Sequence, residues 1–201
     1  MKKGMLVVLS GPSGSGKGTV LEQFLKDEDF SVSISATSRN PRPGDKEGVT
    51  YFFKTRDEFE KMIANDEFFE YAQFNGNYYG TPKEYVLNQI NNGKNIILEI
   101  EVQGAMQVKA AVPDAVLIFM TTPNINVLRE RLEGRQTESQ DVIEQRLETA
   151  LSEVEYVDSY DYLIINDKLE KTVSDLKDAV NSAKNKTKKN IEFIKKFKGE
   201  N

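Results

Sequence analysis

The sequence predicts an α/β fold: a doubly wound parallel sheet core that carries a small mixed α/β insertion and a helical lid. The first observation is a set of short apolar runs typical of strands covered on both faces, at residues 5–10, 31–35, 95–100, 115–121 and 162–166. The second is that helical patterns separate these runs, at residues 17–26, 102–111, 124–133 and 169–183. The third is that residues 36–92 and about 134–155 break the alternation, which predicts an insertion and a lid and leaves 1–35 and 93–201 for the core.

Length and composition are those of a globular protein. The chain has 201 residues, with a hydrophobic content of 38% and a charged content of 29%. Folding at this length buries roughly 70% of the unfolded surface. The apolar run from Met5 to Leu9 is too short to span a bilayer and leads straight into glycines. We therefore expect no membrane contact, no export and a cytoplasmic location.

Two chemically important residue types are missing from the chain. It has no cysteine, which excludes disulfides, thiolate metal sites and cysteine nucleophiles. It has no histidine, which excludes the Ser-His triad and imidazole-bound zinc. The remaining chemistry is that of carboxylates, lysines, arginines and bound Mg²⁺, and phosphoryl transfer needs little else.

Charge is unevenly distributed along the chain. Residues 184–201 hold seven lysines against two glutamates, a net +5, which leaves −10 on residues 1–183 of a chain with net charge −5. This balance disfavours nucleic acid as a partner. Ile191, Ile194 and Phe197 stand at helical spacing in this tail. The favoured interpretation is a solvated terminal helix that packs a few apolar residues, and the alternative is contact with an anionic surface or a partner.

A glycine-rich motif follows the first predicted strand directly. Its residues match G-x-x-x-x-G-K and are Gly11, Pro12, Ser13, Gly14, Ser15, Gly16 and Lys17. Between a strand and a helix this motif predicts a phosphate-binding loop, with backbone N–H groups around the phosphates and the lysine on the β and γ phosphates. The alternative is a tight turn without a ligand. A dinucleotide fingerprint fails because Thr19 stands where it requires a third glycine.

The residues after the lysine depart from the strict motif. Gly18 and then Thr19 stand where a serine or threonine is expected directly after Lys17. No direct metal ligand is therefore assigned, and Mg²⁺ held through water, with Thr19 nearby, is favoured. The Gly-Lys-Gly-Thr ending resembles nucleoside monophosphate kinases.

Local signals also mark the elements of the insertion. Thr55 and Glu58 form a capping-box pattern at the start of a helix. Asn75-Gly76 after the run 68–74 predicts a tight turn. Thr81-Pro82 predicts the cap and first turn of the next helix.

A stiff loop in the insertion carries Arg39 and Arg42, whose guanidinium groups can converge on one phosphate. Here the chain resembles guanylate kinase, and the resemblance extends from Gly11 to Asn166. It rests on Arg39 to Arg42, on the Gly-Asn-Tyr-Tyr-Gly run at 76–80, and on Leu-Glu-Gly-Arg at 132–135.

The resemblance implies a role for each matching residue. For GMP, it implies phosphate contacts from Arg39, Arg42, Tyr51 and Tyr79, base contacts from Ser35, Glu70 and Thr81, and a contribution of Glu99 and Glu101. For ATP, it implies the residues Gly11 to Thr19 together with Asn166 on the adenine side. For catalysis, it implies Lys17, Arg39, Arg131, Arg135 and Arg146. It also implies Mg²⁺ bound with ATP and the substrates ATP, GMP and dGMP, while a homo-oligomer stays open.

Chemistry agrees with the base contact implied for Glu70. A carboxylate accepts from N1–H and the 2-amino group of guanine, whereas adenine offers neither donor. The alternative is an exposed glutamate on an edge strand. Two other functions stay open: a kinase for AMP, UMP or dTMP, and the guanylate-kinase-like module of scaffold proteins, which binds phosphorylated peptides without efficient catalysis. The intact loop with Lys17 and the lid arginines favour the enzyme.

Overall fold

The computed structural model describes residues 3–134 and 139–199. The strands are β1 (Leu6–Ser10), β2 (Phe30–Val32), β3 (Ala36–Thr37), β4 (Phe52–Phe53), β5 (Phe68–Phe74), β6 (Asn77–Pro82), β7 (Asn95–Glu99), β8 (Val116–Thr121) and β9 (Tyr162–Ile165). The helices are α1 (Lys17–Phe24), α2 (Arg56–Ala64), α3 (Lys83–Asn91), α4 (Val102–Ala111), α5 (Ile125–Glu133), α6 (Gln140–Val154), α7 (Leu169–Lys184) and α8 (Ile191–Phe197).

The larger sheet is parallel throughout, in the order β2-β7-β1-β8-β9. Side chains of the central strand β1 alternate between two hydrophobic clusters: Val7 and Leu9 face the side of α1 and α7, and Leu6 and Val8 face the side of α4. Every residue of β1 is buried. Burial on both faces explains the uninterrupted apolar run, and the doubly wound core is confirmed.

The second sheet has the order β4-β3-β6-β5, with one parallel pair and two antiparallel pairs. The predicted capping box at Thr55 and Glu58 starts α2. Phe59 of α2 stacks on Phe68, with ring centroids 4.4 Å apart. The predicted turn between β5 and β6 is confirmed by positive φ at both residues, 48° at Asn75 and 77° at Gly76.

Most predicted boundaries lie within two residues of the observed ones, and two differences have a clear cause. The first outer strand ends at Val32, not at residue 35, because the chain then leaves the edge of the larger sheet for β3. The predicted cap at Thr81 is wrong: Pro82 is the N-cap, and β6 continues up to it. The Thr81 side chain is turned toward Glu70, which removes it from the helix terminus.

The helices α5 and α6 pack on each other and form a small hydrophobic cluster of their own, which contains Leu128, Leu132, Ile143, Leu147 and Ala150. Arg129 bonds Glu144 across the pair. We call α5 and α6 the helix pair. It lies beside the phosphate loop. Only α6 falls within residues 134–155, where the sequence predicts a lid, and α5 belongs to the predicted core.

The tail forms the predicted helix, but its apolar residues do not pack as expected. Ile191, Ile194 and Phe197 on α8 stay 47%, 38% and 82% exposed. Lys189, just before α8, donates to the backbone carbonyl of Asp114 at 2.8 Å and so connects the start of the tail with the core. Within the described residues, none of the helices combines the length and the apolar character needed to cross a membrane.

Candidate active site

The glycine-rich loop lies between the carboxyl end of β1 and the start of α1, where open parallel sheets bind ligands. Gly14 and Gly16 have φ of 91° and 90°, a conformation that suits glycine. The ammonium group of Lys17 folds back over the loop and donates to the carbonyls of Gly11 and Pro12. The loop therefore has the backbone shape and the cation that phosphate binding requires.

The backbone carbonyl of Ser15, in the loop, accepts hydrogen bonds from two side chains. Ser15 O accepts from Asn166 Nδ2 at 2.7 Å and from Arg131 Nη1 at 3.1 Å. Arg131 also bonds Asn166: its Nη2 donates to the backbone oxygen of Asn166 at 2.8 Å. Arg131 thus lies at the loop, as predicted, and the Asn166 side chain contacts loop backbone.

The helix pair packs directly on the loop. A Cβ added at Gly14 would lie 2.8 Å from a methyl carbon of Leu132, so α5 is in close contact with the loop. Arg146 Nη1 of α6 donates to Ser13 Oγ at 3.0 Å. Two of the three predicted lid arginines, Arg131 and Arg146, therefore meet at the loop, and Arg135 lies outside the described residues.

The second sheet brings together the residues predicted to hold a phosphate. The guanidinium carbon of Arg39 lies 5.5 Å from the ring centre of Tyr51, whose ring centre is 6.0 Å from that of Tyr79. Asp45, which the sequence analysis did not single out, accepts from Arg39 Nη2 at 2.8 Å and from the Arg42 backbone N–H at 2.7 Å. These two hydrogen bonds, the one to Arg42 first, lower the pKa of Asp45. The arginine loop thus holds Arg39 in an ion pair with a carboxylate of its own, that of Asp45.

Glu70 is held in a buried position by an irregularity in β5. The register of β5 against β6 shifts between Phe68 and Tyr71, so Phe69 and Glu70 are buried in succession and the strand alternation is lost. Thr81 Oγ1 donates to Glu70 Oε1 at 2.6 Å. Burial raises the pKa of Glu70, against the Thr81 hydrogen bond, and the Glu101 carboxylate adds to the rise.

The core helix α4 closes the other side of this carboxylate. A Cβ added at Gly104 would lie 3.0 Å from Glu70 Oε2 and 3.2 Å from its Cγ. Any larger residue would push the carboxylate away. Gly104 thus shapes the candidate base site, although the sequence signals only a glycine near a helix start.

Three carboxylates lie between the loop and the second sheet. Glu99 is the last residue of β7, Glu101 is the N-cap of α4, and both are exposed. A Cβ added at Gly18 would lie 3.8 Å from Glu99 Oε1, so this carboxylate lies beside the start of α1. Burial raises the pKa of Glu153 on α6, partly offset by Lys17, while Glu101 adds to the rise. Glu153 was missed because a single glutamate on a charged helix carries no sequence signal.

The other predicted residues occupy less distinctive positions. Thr19 is exposed on the first turn of α1. The carbonyl of Ser35 accepts from the Phe52 backbone N–H at 2.9 Å, so Ser35 lies directly before β3 and beside β4. Among residues 3–134 and 139–199, no group of three or more metal-binding side chains can hold a metal ion.

A phosphate loop under a helix pair, with an arginine and tyrosine site on a second sheet, defines the class of P-loop nucleotide kinases. A family model described as guanylate kinase matches residues 3–183. The chain belongs to the guanylate kinase family.

Individual relatives agree with the family model. The chain is 49% identical over 198 residues to a protein of Listeria innocua named guanylate kinase, covering 98% of this chain and 97% of the relative. It is 53% identical over 171 residues to one of Bacillus cereus with the same name, covering 84% and 83%. The crystal structure of guanylate kinase from Anaplasma phagocytophilum superposes with a TM-score of 0.72 at 30% identity, covering 93% of this chain and 89% of that one.

Proposed function

We propose that this protein transfers the γ-phosphoryl group of ATP to GMP and dGMP, forming ADP and the guanosine diphosphate. One observation carries the proposal: a buried carboxylate, Glu70, lies on the same sheet as the cluster of Arg39, Tyr51 and Tyr79. A carboxylate pairs with the guanine edge and the arginine with a phosphate. Together they suit a guanine nucleotide whose phosphate end lies toward the loop.

ATP would bind at the end of the larger sheet, and GMP would bind at the second sheet. The loop residues Gly11 to Thr19 would bind the phosphates of ATP, with Asn166 beside them. Arg39, Arg42, Tyr51 and Tyr79 would hold the GMP phosphate. Ser35, Glu70 and Thr81 would bind the base, and Glu99 and Glu101 would border this site. These assignments combine the family resemblance with the contacts of Arg39 and Glu70.

The reaction joins a phosphate oxygen of GMP to the γ-phosphorus of ATP while the bond from that phosphorus to the β-bridging oxygen breaks. Cations around the transferred group lower the barrier, and no histidine is required. Lys17, Arg39, Arg131, Arg135 and Arg146 are the proposed cations. The contact of Arg146 with Ser13 supports this role for the helix pair.

Mg²⁺ bound with ATP would neutralise phosphate charge. This ion prefers oxygen ligands. The strict motif has a serine or threonine hydroxyl at the position of Gly18, and here the carboxylate oxygens of Glu99 lie beside that position. Glu99 and Thr19 are the residues proposed to hold it, through water. A cytoplasmic location and the lack of a nucleic-acid partner stay predictions.

A substrate panel tests this function. Phosphoryl transfer from Mg·ATP would be measured in a coupled assay with GMP, dGMP, AMP, UMP and dTMP. We expect turnover with GMP and dGMP alone, and equal turnover with another base would overturn the proposed base site. No turnover together with phosphopeptide binding would favour a scaffold module instead.

A substitution in the loop tests the ATP site. Lys17→Ala should abolish turnover and keep the fold, because it removes the cation assigned to the β and γ phosphates. Lys26→Ala is the matched control, since the Lys26 ammonium group donates to the exposed Gln23 side chain, away from the loop residues Gly11 to Lys17. Persistent activity in the Lys17 variant would contradict the assignment.

A further inference from the structure

A chain of buried hydrogen bonds connects α7 to the phosphate loop. Thr172 on α7 and Asn166 after β9 are 1% and 6% exposed. Thr172 Oγ1 lies 3.1 Å from Asn166 Oδ1, and Asn166 Nδ2 lies 2.7 Å from Ser15 O. Within residues 3–134 and 139–199, the Thr172 side chain is connected to the loop by hydrogen bonds only through Asn166.

The hydrogen bonds define the orientation of the Asn166 amide. Ser15 O is a pure acceptor, so the amide must turn its NH₂ group toward the loop and its oxygen toward α7. The Thr172 hydroxyl then donates to Oδ1. Within residues 3–134 and 139–199, this hydroxyl is the one hydrogen-bond partner of Oδ1. Thr172 Oγ1 also donates to Lys168 O at 2.9 Å, so its single proton is shared between that carbonyl and Asn166 Oδ1.

The loop is sensitive to this orientation at two points. A Cβ added at Gly16 would lie 2.5 Å from Asn166 Nδ2, so the amide is in close contact with loop backbone. Arg131 bonds both Ser15 O and Asn166 O. A flipped amide would set its oxygen against Ser15 O, which removes one bond and adds a repulsion at the same carbonyl.

We propose that Thr172 is a positioning residue for the triphosphate site: its hydroxyl sets the Asn166 amide, which holds Ser15 O and with it the shape of the phosphate loop. The inference rests on the proposed binding of ATP at this loop. It gives Asn166 a role toward the phosphates, in addition to the adenine contact that the resemblance implies. Thr172 touches no substrate in this proposal.

Two substitutions at one position form the test. Thr172→Val keeps the shape and removes the donor, whereas Thr172→Ser keeps the donor. We expect the Val variant to raise the KM for ATP about tenfold, as the loss of a buried hydrogen bond predicts, with the KM for GMP within about twofold of wild type. The Ser variant should stay within about twofold of wild type for both substrates.

Controls separate this role from a general effect on folding. Leu176→Ala on the same helix removes a fully buried side chain of the core, and should lower the melting temperature without a selective change in the KM for ATP. If Thr172→Val does not fold, Thr172→Ala replaces it.

Calorimetric titration with ADP tests the inference without the reaction. Weaker ADP binding by the Val variant than by wild type and the Ser variant would support the inference even if wild type failed to phosphorylate GMP. Unchanged ATP and ADP binding in the Val variant, equal loss in both variants, or equal loss for ATP and GMP would overturn it.

Discussion

Glu70 is a charged side chain that the fold keeps 8% exposed. Burial raises its pKa, so ionisation is harder in the folded chain than in the unfolded chain. The ionised group therefore destabilises the empty protein in full above the raised folded pKa, by less as pH falls from there, and not at all below the unfolded pKa. A ligand that donates hydrogen bonds to the carboxylate removes the cost, which favours guanine.

Replacement of the carboxylate gives the first prediction. Glu70→Gln should raise the KM for GMP roughly 10- to 150-fold, because a hydrogen bond to a charged group contributes about 1.5–3 kcal/mol. The melting temperature of the empty variant at pH 7 should equal or exceed that of wild type. Coupled assays and thermal melts measure the two effects. The matched control is Glu67→Gln, since Glu67 is an exposed glutamate three positions before Glu70.

The same carboxylate predicts a pH dependence. Wild-type affinity for GMP should fall as pH decreases through the raised pKa of Glu70, a loss that begins above the pH range of an ordinary glutamate. The Gln variant should lack this component. Identical pH profiles for the two proteins would contradict the role of Glu70 in binding the base.

At the scale of elements, the sequence predicted the structure correctly wherever the conformation of a segment depends on its own residues. The capping box at Thr55, the Asn75-Gly76 turn and the apolar run of β1 are such cases, and each is confirmed. Prediction failed where a distant partner decides. Thr81 pairs with Glu70 eleven residues away, and the bulge in β5 depends on packing against two sheets. Asp45, Gly104 and Glu153 are likewise defined only by what the fold brings near them.

The capping box supplies a prediction for α2. Thr55→Ala should lower the free energy of unfolding by about 1 kcal/mol, because the side chain satisfies the Glu58 backbone N–H at the helix start. Urea denaturation measures this change. Thr149→Ala is the control, since that hydroxyl bonds back to Gln145 O inside α6 and caps nothing. Equal losses in the two variants would rule out a specific capping effect.

Two arginines of the helix pair should behave differently. Arg146 donates to Ser13 at the loop, whereas Arg129 bonds Glu144 on the neighbouring helix. Arg146→Ala should lower kcat by about a thousandfold, the scale of an arginine that stabilises a transferring phosphoryl group. Arg129→Ala should change kcat by only a few-fold and cost up to about 1 kcal/mol of stability, as exposed pairs do. Similar kcat values for the two variants would contradict the assignment.

At the scale of the whole molecule, the two substrates are assigned to two sheets, and each sheet has a hydrophobic cluster of its own, although Phe69 of β5 packs in a cluster of the larger sheet. Transfer requires them to meet, so we predict closure when both nucleotides bind. Small-angle scattering should show a smaller radius of gyration with GMP and a non-hydrolysable ATP analogue together than with neither. A profile unchanged by both nucleotides would count against closure.

The close contact of Gly104 with Glu70 has a consequence for selectivity. The carboxylate that would read the base belongs to the second sheet, yet the backbone of a core helix limits its position. Base recognition and the relative placement of the two sheets therefore depend on one contact. If base binding stabilises one placement of the sheets, that placement strengthens base binding by the same free energy. A nucleotide that pairs poorly with Glu70 would bind weakly and would also fail to stabilise the closed arrangement, so the protein would reject it at two stages with a single side chain.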